Sequence, residues 1–182
     1  MSRRANGPAV RSFEPVVGDR PHTLILGSAP GIRSLEDVEY YAHPRNAFWP
    51  IMAQIAAFNV DLPYADRLTA LTRAGFALWD VLAECERRTS LDSDIVESSI
   101  VPNEIAPLLA ERPTIRLVAF NGGKSEASFR RYVAPDLDEA GLDVALVRLP
   151  STSPAYAAMR YPEKLAAWES TLGVVPRPRA GD

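Results

Sequence analysis

Four short apolar runs, spaced along the chain and separated by segments of helical periodicity, constrain the fold more than any other feature. They cover residues 23–26 (TLIL), 76–79 (FALW), 115–120 (IRLVAF) and 143–149 (DVALVRL). Each is bounded by residues that favour turns: Gly27, Asp80, Asn121-Gly122-Gly123 and Pro150. Runs of this length with such borders read as buried strands. Residues 115–120 are almost continuously apolar, which predicts burial on both faces of a sheet. Between the strands, Phe48, Ile51, Met52 and Ile55 repeat at helical spacing, with Asn46 as an N-cap and Pro50 in the first turn. Further helices are expected over 64–74, stopped by Gly75, over 102–110, from Gly123 to about 133, and over 162–172. Asp80 is expected to cap a short helix running through Cys85. Strands alternating with helices predict the α/β class: a three-layer α/β/α sandwich around a four-stranded parallel sheet with right-handed crossovers.

The 182 residues suffice for one domain, expected over 13–173, between a flexible tail at 1–12 and a loose one at 174–182. Apolar residues make up 47% and charged residues 24%, as in ordinary globular chains. No apolar run approaches a membrane span and no signal-peptide core is evident, so no membrane partner and a cytoplasmic location are expected. One cysteine, Cys85, excludes an internal disulfide, and two histidines argue against a zinc site. Neither metal nor cofactor is expected. A net charge of −3 argues mildly against a protein that coats nucleic acid, though not against a local basic face. Arg45, Lys124, Arg130, Arg131, Arg148 and Arg160 are candidates for such a rim. The polar segment 87–100 is expected to be a long loop, and long loops in compact domains are commonly functional or disordered.

In parallel sheets, ligands bind where the strands end and the following loops splay apart. Three strand ends carry unusual residues: Gly27-Ser28-Ala29-Pro30, Asn121-Gly122-Gly123 and Pro150-Ser151-Thr152-Ser153. A fourth stretch, Tyr41-Ala42-His43-Pro44-Arg45-Asn46-Ala47-Phe48, delivers rings and hydrogen-bonding groups to a helix start. By residue type alone, Asn46 is a helix cap, Tyr41 a half-buried ring and Asn121 a turn residue.

In order, Gly27-Ser28-Ala29-Pro30-Gly31, Tyr41 to Trp49, Leu78-Trp79-Asp80-Val81, Ser90-Leu91-Asp92-Ser93, Pro102-Asn103-Glu104-Ile105, Phe120-Asn121-Gly122 and Leu149 to Ala155 resemble the uracil-DNA glycosylase superfamily. The likeness covers roughly residues 20 to 170 and is to its hypoxanthine-DNA glycosylase branch, related to the mismatch-specific uracil/thymine enzymes. Two positions depart from the wider superfamily. Ala29 stands where the mismatch-specific enzymes carry a catalytic Asn, and Leu149 where others carry Asn or His. The resemblance implies that catalysis rests instead on Asn46 in the HPRN loop, with Asn121 as a second functional amide.

The function implied is a monofunctional DNA glycosylase that flips a deaminated base, chiefly hypoxanthine, out of DNA and hydrolyses its N-glycosidic bond. Gly27, Ser28, Ala29, Pro30, Tyr41, His43 and Phe48 are expected around the base, with Tyr41 stacking on it. Ser151, Thr152, Ser153, Pro154 and Ala155 are expected to bind DNA. The partner is DNA containing a deaminated base, and the protein is expected to be a monomer. Two alternatives stay open: a glycosylase specific for uracil or another lesion, and a non-catalytic module that binds nucleic acid or a nucleotide.

Overall fold

The computed structural model describes residues 7–173. In chain order its elements are β1 (Ala9–Arg11), β2 (Thr23–Gly27), α1 (Ile32–Asp37), α2 (Phe48–Ile55), α3 (Tyr64–Arg73), β3 (Phe76–Asp80), β4 (Leu82–Glu86), β5 (Val101–Pro102), α4 (Ile105–Glu111), β6 (Leu117–Asn121), α5 (Gly123–Tyr132), α6 (Ala134–Ala140), β7 (Ala145–Leu149) and α7 (Tyr161–Leu172). Four of the strands form one sheet in the order β3-β2-β6-β7, and every neighbouring pair is parallel.

Alternation along the central strands sends neighbouring side chains to opposite layers. Leu24 and Leu26 of β2, with Val118 and Phe120 of β6, pack with Ile105, Leu109, Phe129 and Leu137 from α4, α5 and α6, and with Val133 between the last two. Ile25, Leu78 and Ala119 face the other way, against Phe48, Trp49, Ile51, Met52, Leu71, Trp168 and Leu172 from α2, α3 and α7. Covering on both faces is why β2 is buried at every position. The fully buried Leu, Ile and Phe side chains each contribute about 1.5–3 kcal/mol relative to exposure. The three-layer α/β/α architecture is the one the periodicity predicts.

The differences lie at the ends of elements. Asp80 caps no helix: it is the last residue of β3, and residues 82–86 form β4. The buried residues of β4, Leu82 and Cys85, lie three apart, and the register with β5 shifts between Leu82 and Glu84. Pairing on a small second sheet of order β1-β4-β5, rather than alternation, therefore makes it a strand. Ala9–Arg11, expected within a mobile tail, instead pair antiparallel with β4, so that Val10 lies opposite Cys85. Pro102 belongs to β5, and the following helix begins only at Ile105. Residues 1–6 and the expected loose tail at 174–182 lie outside the described residues. The loop after β4 contains two short 3-10 turns, Asp92–Asp94 and Glu97–Ser99. Glu97 ties it to the body by pairing with Lys124 of α5 and accepting from the Tyr132 hydroxyl at 3.0 Å.

Candidate active site

The carboxyl ends of β2, β3, β6 and β7 open onto a cleft of about 540 Å³, within the range of small-molecule pockets, roughly 300–1,000 Å³. Its walls come from the turn after β2, the loop before α2, the loop after β4, the start of α5 and the loop after β7. Asn46, Asn121, Tyr41, His43, Gly27 through Pro30 and Ser151 through Ala155 all line this one cleft. Phe48 does not. Its ring is completely buried in the helical layer and stacks beneath Tyr41, with centroids 4.0 Å apart and planes 24° from parallel. The correction follows from the helix: Phe48 opens α2 and faces the core, so it supports Tyr41 rather than reaching the cleft.

Tyr41 has φ of 56°, a left-handed conformation uncommon for a bulky residue. Its hydroxyl is buried without a hydrogen-bond partner of good geometry. Burial above all, and then the nearby Asp80 carboxyl, push its pKa up, while Asn121 acts in the opposite sense. The phenol is therefore neutral and stays a donor.

Asn46 is not the N-cap of α2, a place taken by Ala47, but it lies one residue before that cap and faces the cleft. Its Oδ1 accepts the Phe48 N–H at 3.0 Å, fixing the start of α2, while the residue lines the cleft. The Ala47 N–H donates to the Thr152 carbonyl at 3.0 Å, joining this loop to the one after β7. His43 orders its own turn: its Nδ1 accepts the Arg45 N–H at 3.1 Å.

Asn121 ends β6, directly opposite Leu149 of β7. Its amide is held on both sides by Thr152, donating to Oγ1 at 2.8 Å and accepting the backbone N–H at 2.9 Å. Thr152 is thus buried and engaged, and its hydroxyl is not offered to DNA as the sequence suggested. Ser151 and Ser153 receive backbone N–H groups within their own loop, from Ser153 and Ala155 respectively, each at 3.2 Å. Gly122 has φ of 98°, and a Cβ there would lie 3.0 Å from the Ser151 Cβ, so the two strand ends meet only around glycine.

Four residues not assigned to the site from the sequence, Arg87, Ser90, Asp92 and Asp80, prove central. Arg87 is buried and donates to the carbonyls of Ala29 and Pro30, with Asp92 3.8 Å away. Asp92 accepts from the Ser28 hydroxyl at 2.6 Å, and Ser90 accepts the Ile32 N–H at 3.0 Å. The polar loop after β4 is therefore a clamp on the turn after β2. Asp80 lies in the cleft beside Gly27, its partner in the β2–β3 register. A side chain at Gly27 would collide with Asp80 Oδ1 and come within 3.1 Å of the Tyr41 hydroxyl. Burial pushes the Asp80 pKa up to about 7; Arg87 opposes this and Asp92 reinforces it. An acid at the carboxyl end of a buried strand is the signal by which the sequence marks it.

The expected basic rim is largely neutralised. Arg130 and Arg148 pair with Glu126, and Arg160 with Glu163. Lys164 is buried, donates to the Ser153 carbonyl at 3.2 Å, and has its pKa lowered by burial. Among the described residues, no group of three or more His, Cys, Asp or Glu is arranged to hold a metal ion.

The profile of the uracil DNA glycosylase superfamily matches residues 15–172. A protein of Methanosarcina barkeri named hypoxanthine DNA glycosylase is 37% identical over 116 residues, which is 63% of this chain and 72% of that one. A protein of the same name from Methanosarcina acetivorans is 34% identical over 116 residues, with the same two coverages of 63% and 72%. The solution NMR structure of a candidate uracil DNA glycosylase from Methanosarcina acetivorans superimposes with a TM-score of 0.75 and 30% identity, covering 91% of this chain and 98% of that one.

Proposed function

Because this chain belongs to the uracil DNA glycosylase superfamily, we propose that it is a monofunctional DNA glycosylase that removes hypoxanthine as its chief substrate. Two relatives, 37% and 34% identical, carry that activity in their names. The single observation that carries the reading is that Asn46, Asn121, Tyr41 and the loop after β7 line one cleft.

A base inside a duplex is out of reach, so the damaged nucleotide must rotate into the cleft; a weakened pair lowers that cost. Tyr41, backed by Phe48, offers a ring for the base to lie against. Breaking the C1′–N9 bond leaves positive charge on the sugar and sends the electron pair to the base. Water adds to C1′, and its proton finally rests on the departed base. Asn46 Oδ1 has a second lone pair beyond the one held by Phe48, and this orients the water. A neutral amide is a weak proton acceptor, so much of the rate comes from electrostatic stabilisation and from the leaving group. Hypoxanthine leaves as a better stabilised anion than adenine, which favours deaminated bases.

The substrate is DNA carrying a deaminated base, and the active form is a monomer, since one chain supplies every group used here. A free, buried Cys85 needs no oxidising compartment, in keeping with work in the cytoplasm. The test is a panel of end-labelled oligonucleotides containing deoxyinosine, deoxyuridine, deoxyxanthosine or ethenoadenine, treated with alkali after incubation. Strand breaks greatest at deoxyinosine are expected. Breaks only at another lesion would move the substrate, and binding without breaks would make the protein a non-catalytic module.

A further inference from the structure

Among the described residues, Asp80 is the one carboxyl group that lines the cleft from the sheet itself, and the hydrolytic scheme above does not use it. The side chain is 3% exposed, and its Oδ2 has no hydrogen-bond partner. Such an atom is costly to leave unpaired unless something else supplies the partner. The neighbouring polar groups are otherwise engaged or are donors. Asn121 is held at both ends by Thr152, Asn46 Oδ1 holds the start of α2, and the Tyr41 phenol carries its proton. The floor therefore holds an unpaired carboxylate oxygen, with the Tyr41 phenol as an unpaired donor nearby.

Deamination creates a donor on the base. Adenine presents a ring-nitrogen lone pair at N1 beside an amine; hypoxanthine presents N1–H beside a carbonyl. Resting on the glycosylase reading above, we propose that the Asp80 carboxylate is the specificity-determining residue that accepts hypoxanthine N1–H and rejects adenine. An ionised carboxylate is an acceptor only, so the adenine N1 lone pair would face it with no hydrogen between them. Sites built to receive a hydrogen bond discriminate strongly against an analogue that lacks it, because the buried group is left unpaired. Gly27 is part of the device, since any side chain there would occupy the space of the carboxylate.

The same contact requires the ionised form. Arg87 favours that form from the loop after β4, while Asp92 opposes it from the 3-10 turn. The other titratable groups facing Asp80 are Tyr40 and Tyr41 in the loop before α2, and Cys85 in β4. Tyr40, Tyr41 and Cys85 are all pushed up, chiefly by burial, and remain neutral near pH 7. Hypoxanthine recognition should thus improve as pH rises through the neutral range.

The experiment compares deoxyinosine with N1-methyl-deoxyinosine in otherwise identical oligonucleotides, measuring kcat/KM for the unaltered protein and for Asp80→Asn and Asp80→Ala. The unaltered protein is expected to prefer deoxyinosine by about 100-fold or more, the scale of one buried hydrogen bond to a charged group. Asp80→Ala should shrink that preference to a few-fold, and Asp80→Asn should lose the rise of kcat/KM with pH. Equal cleavage of the two substrates by the unaltered protein would overturn the proposal without any variant. So would an Asp80→Asn protein with the original rate and pH profile. If the unaltered protein cleaves neither substrate at any pH, the glycosylase reading itself fails; cleavage of deoxyinosine without these contrasts sinks only the role of Asp80.

Discussion

Asn121 and Thr152 are joined by two hydrogen bonds, 2.8 Å from the amide nitrogen to the threonine hydroxyl and 2.9 Å from the threonine N–H to the amide oxygen. The pair locks the end of β6 to the loop after β7, fixing one wall of the cleft. Replacing Thr152 by Val keeps the shape and removes the acceptor, leaving a buried N–H₂ unsatisfied. The expected cost is about 1–3 kcal/mol of stability, with slower deoxyinosine cleavage. Thr152→Ser should retain most of both. Denaturant titration and single-turnover rates check this.

Asn46 carries two tasks that substitutions can separate. Asn46→Ala removes the acceptor of the Phe48 N–H and the water-orienting amide together. Stability should fall by about 0.5–1.5 kcal/mol, as for loss of one side-chain hydrogen bond. Cleavage should fall by about 100-fold or more, as when one oriented polar group is lost from an active site. Asn46→Asp retains an oxygen for Phe48, so its stability should stay close to that of the unaltered protein. Retained cleavage by a folded Asn46→Ala protein would remove this residue from the mechanism.

Part of this site is legible in the sequence because Asn121 and the serine-rich loop follow apolar strands at positions the fold makes convergent. Tyr41 and Asn46 lie before α2 instead, and their parts, like the role of the Asn121 amide, come from the resemblance to the glycosylase superfamily. What stays hidden depends on which way a side chain turns. Phe48 and Tyr41 lie in the same loop-to-helix segment, yet the first turn of α2 directs Phe48 into the core and leaves Tyr41 at the cleft. Thr152 looks like its serine neighbours until a partner 31 residues away claims it. β4 is missed because five residues with two glutamates fit a polar helix as readily as a strand, and pairing with β1 and β5 decides the matter. The clamp by Arg87 is a long-range contact between a polar loop and two backbone carbonyls, which no local pattern announces.

Arg87 invites a strict test of that clamp. Lysine keeps the charge but not the planar fork that serves two carbonyls and Asp92 together. Arg87→Lys should lose about 1–3 kcal/mol and loosen the turn after β2. Thermal denaturation and amide exchange at Gly27, Ser28 and Ala29 report the two effects.

Asp80 also fixes the sign of a pH effect on stability. Its carboxyl in the unfolded chain titrates near the ordinary value of 3.8, whereas burial raises it to about 7 in the fold. Below pH 4 both states hold the proton and this group contributes no penalty. As pH rises toward 7 the unfolded chain has already released a proton that the folded chain retains, so stability falls across that window. The difference is about 4 kcal/mol. Asp80→Asn should abolish this slope and leave the variant more stable than the unaltered protein at neutral pH, as read by urea titrations at several pH values.

Tyr41→Phe keeps the ring and deletes a buried hydroxyl that lacks a partner. It should retain stability and most of the activity. Tyr41→Ala removes the stacking surface, worth about 1–3 kcal/mol per base, and should weaken binding of deoxyinosine DNA by roughly 10- to 100-fold. Fluorescence anisotropy of labelled oligonucleotides distinguishes the two variants.

The most direct measurement of the whole account is the release of free base from a duplex containing one deoxyinosine, followed by chromatographic separation of hypoxanthine from DNA. The unaltered protein should liberate hypoxanthine and leave an unbroken strand with an alkali-labile abasic site, while folded Asn46→Ala protein liberates almost none. No hypoxanthine from the unaltered protein, or equal release from the two, would contradict it.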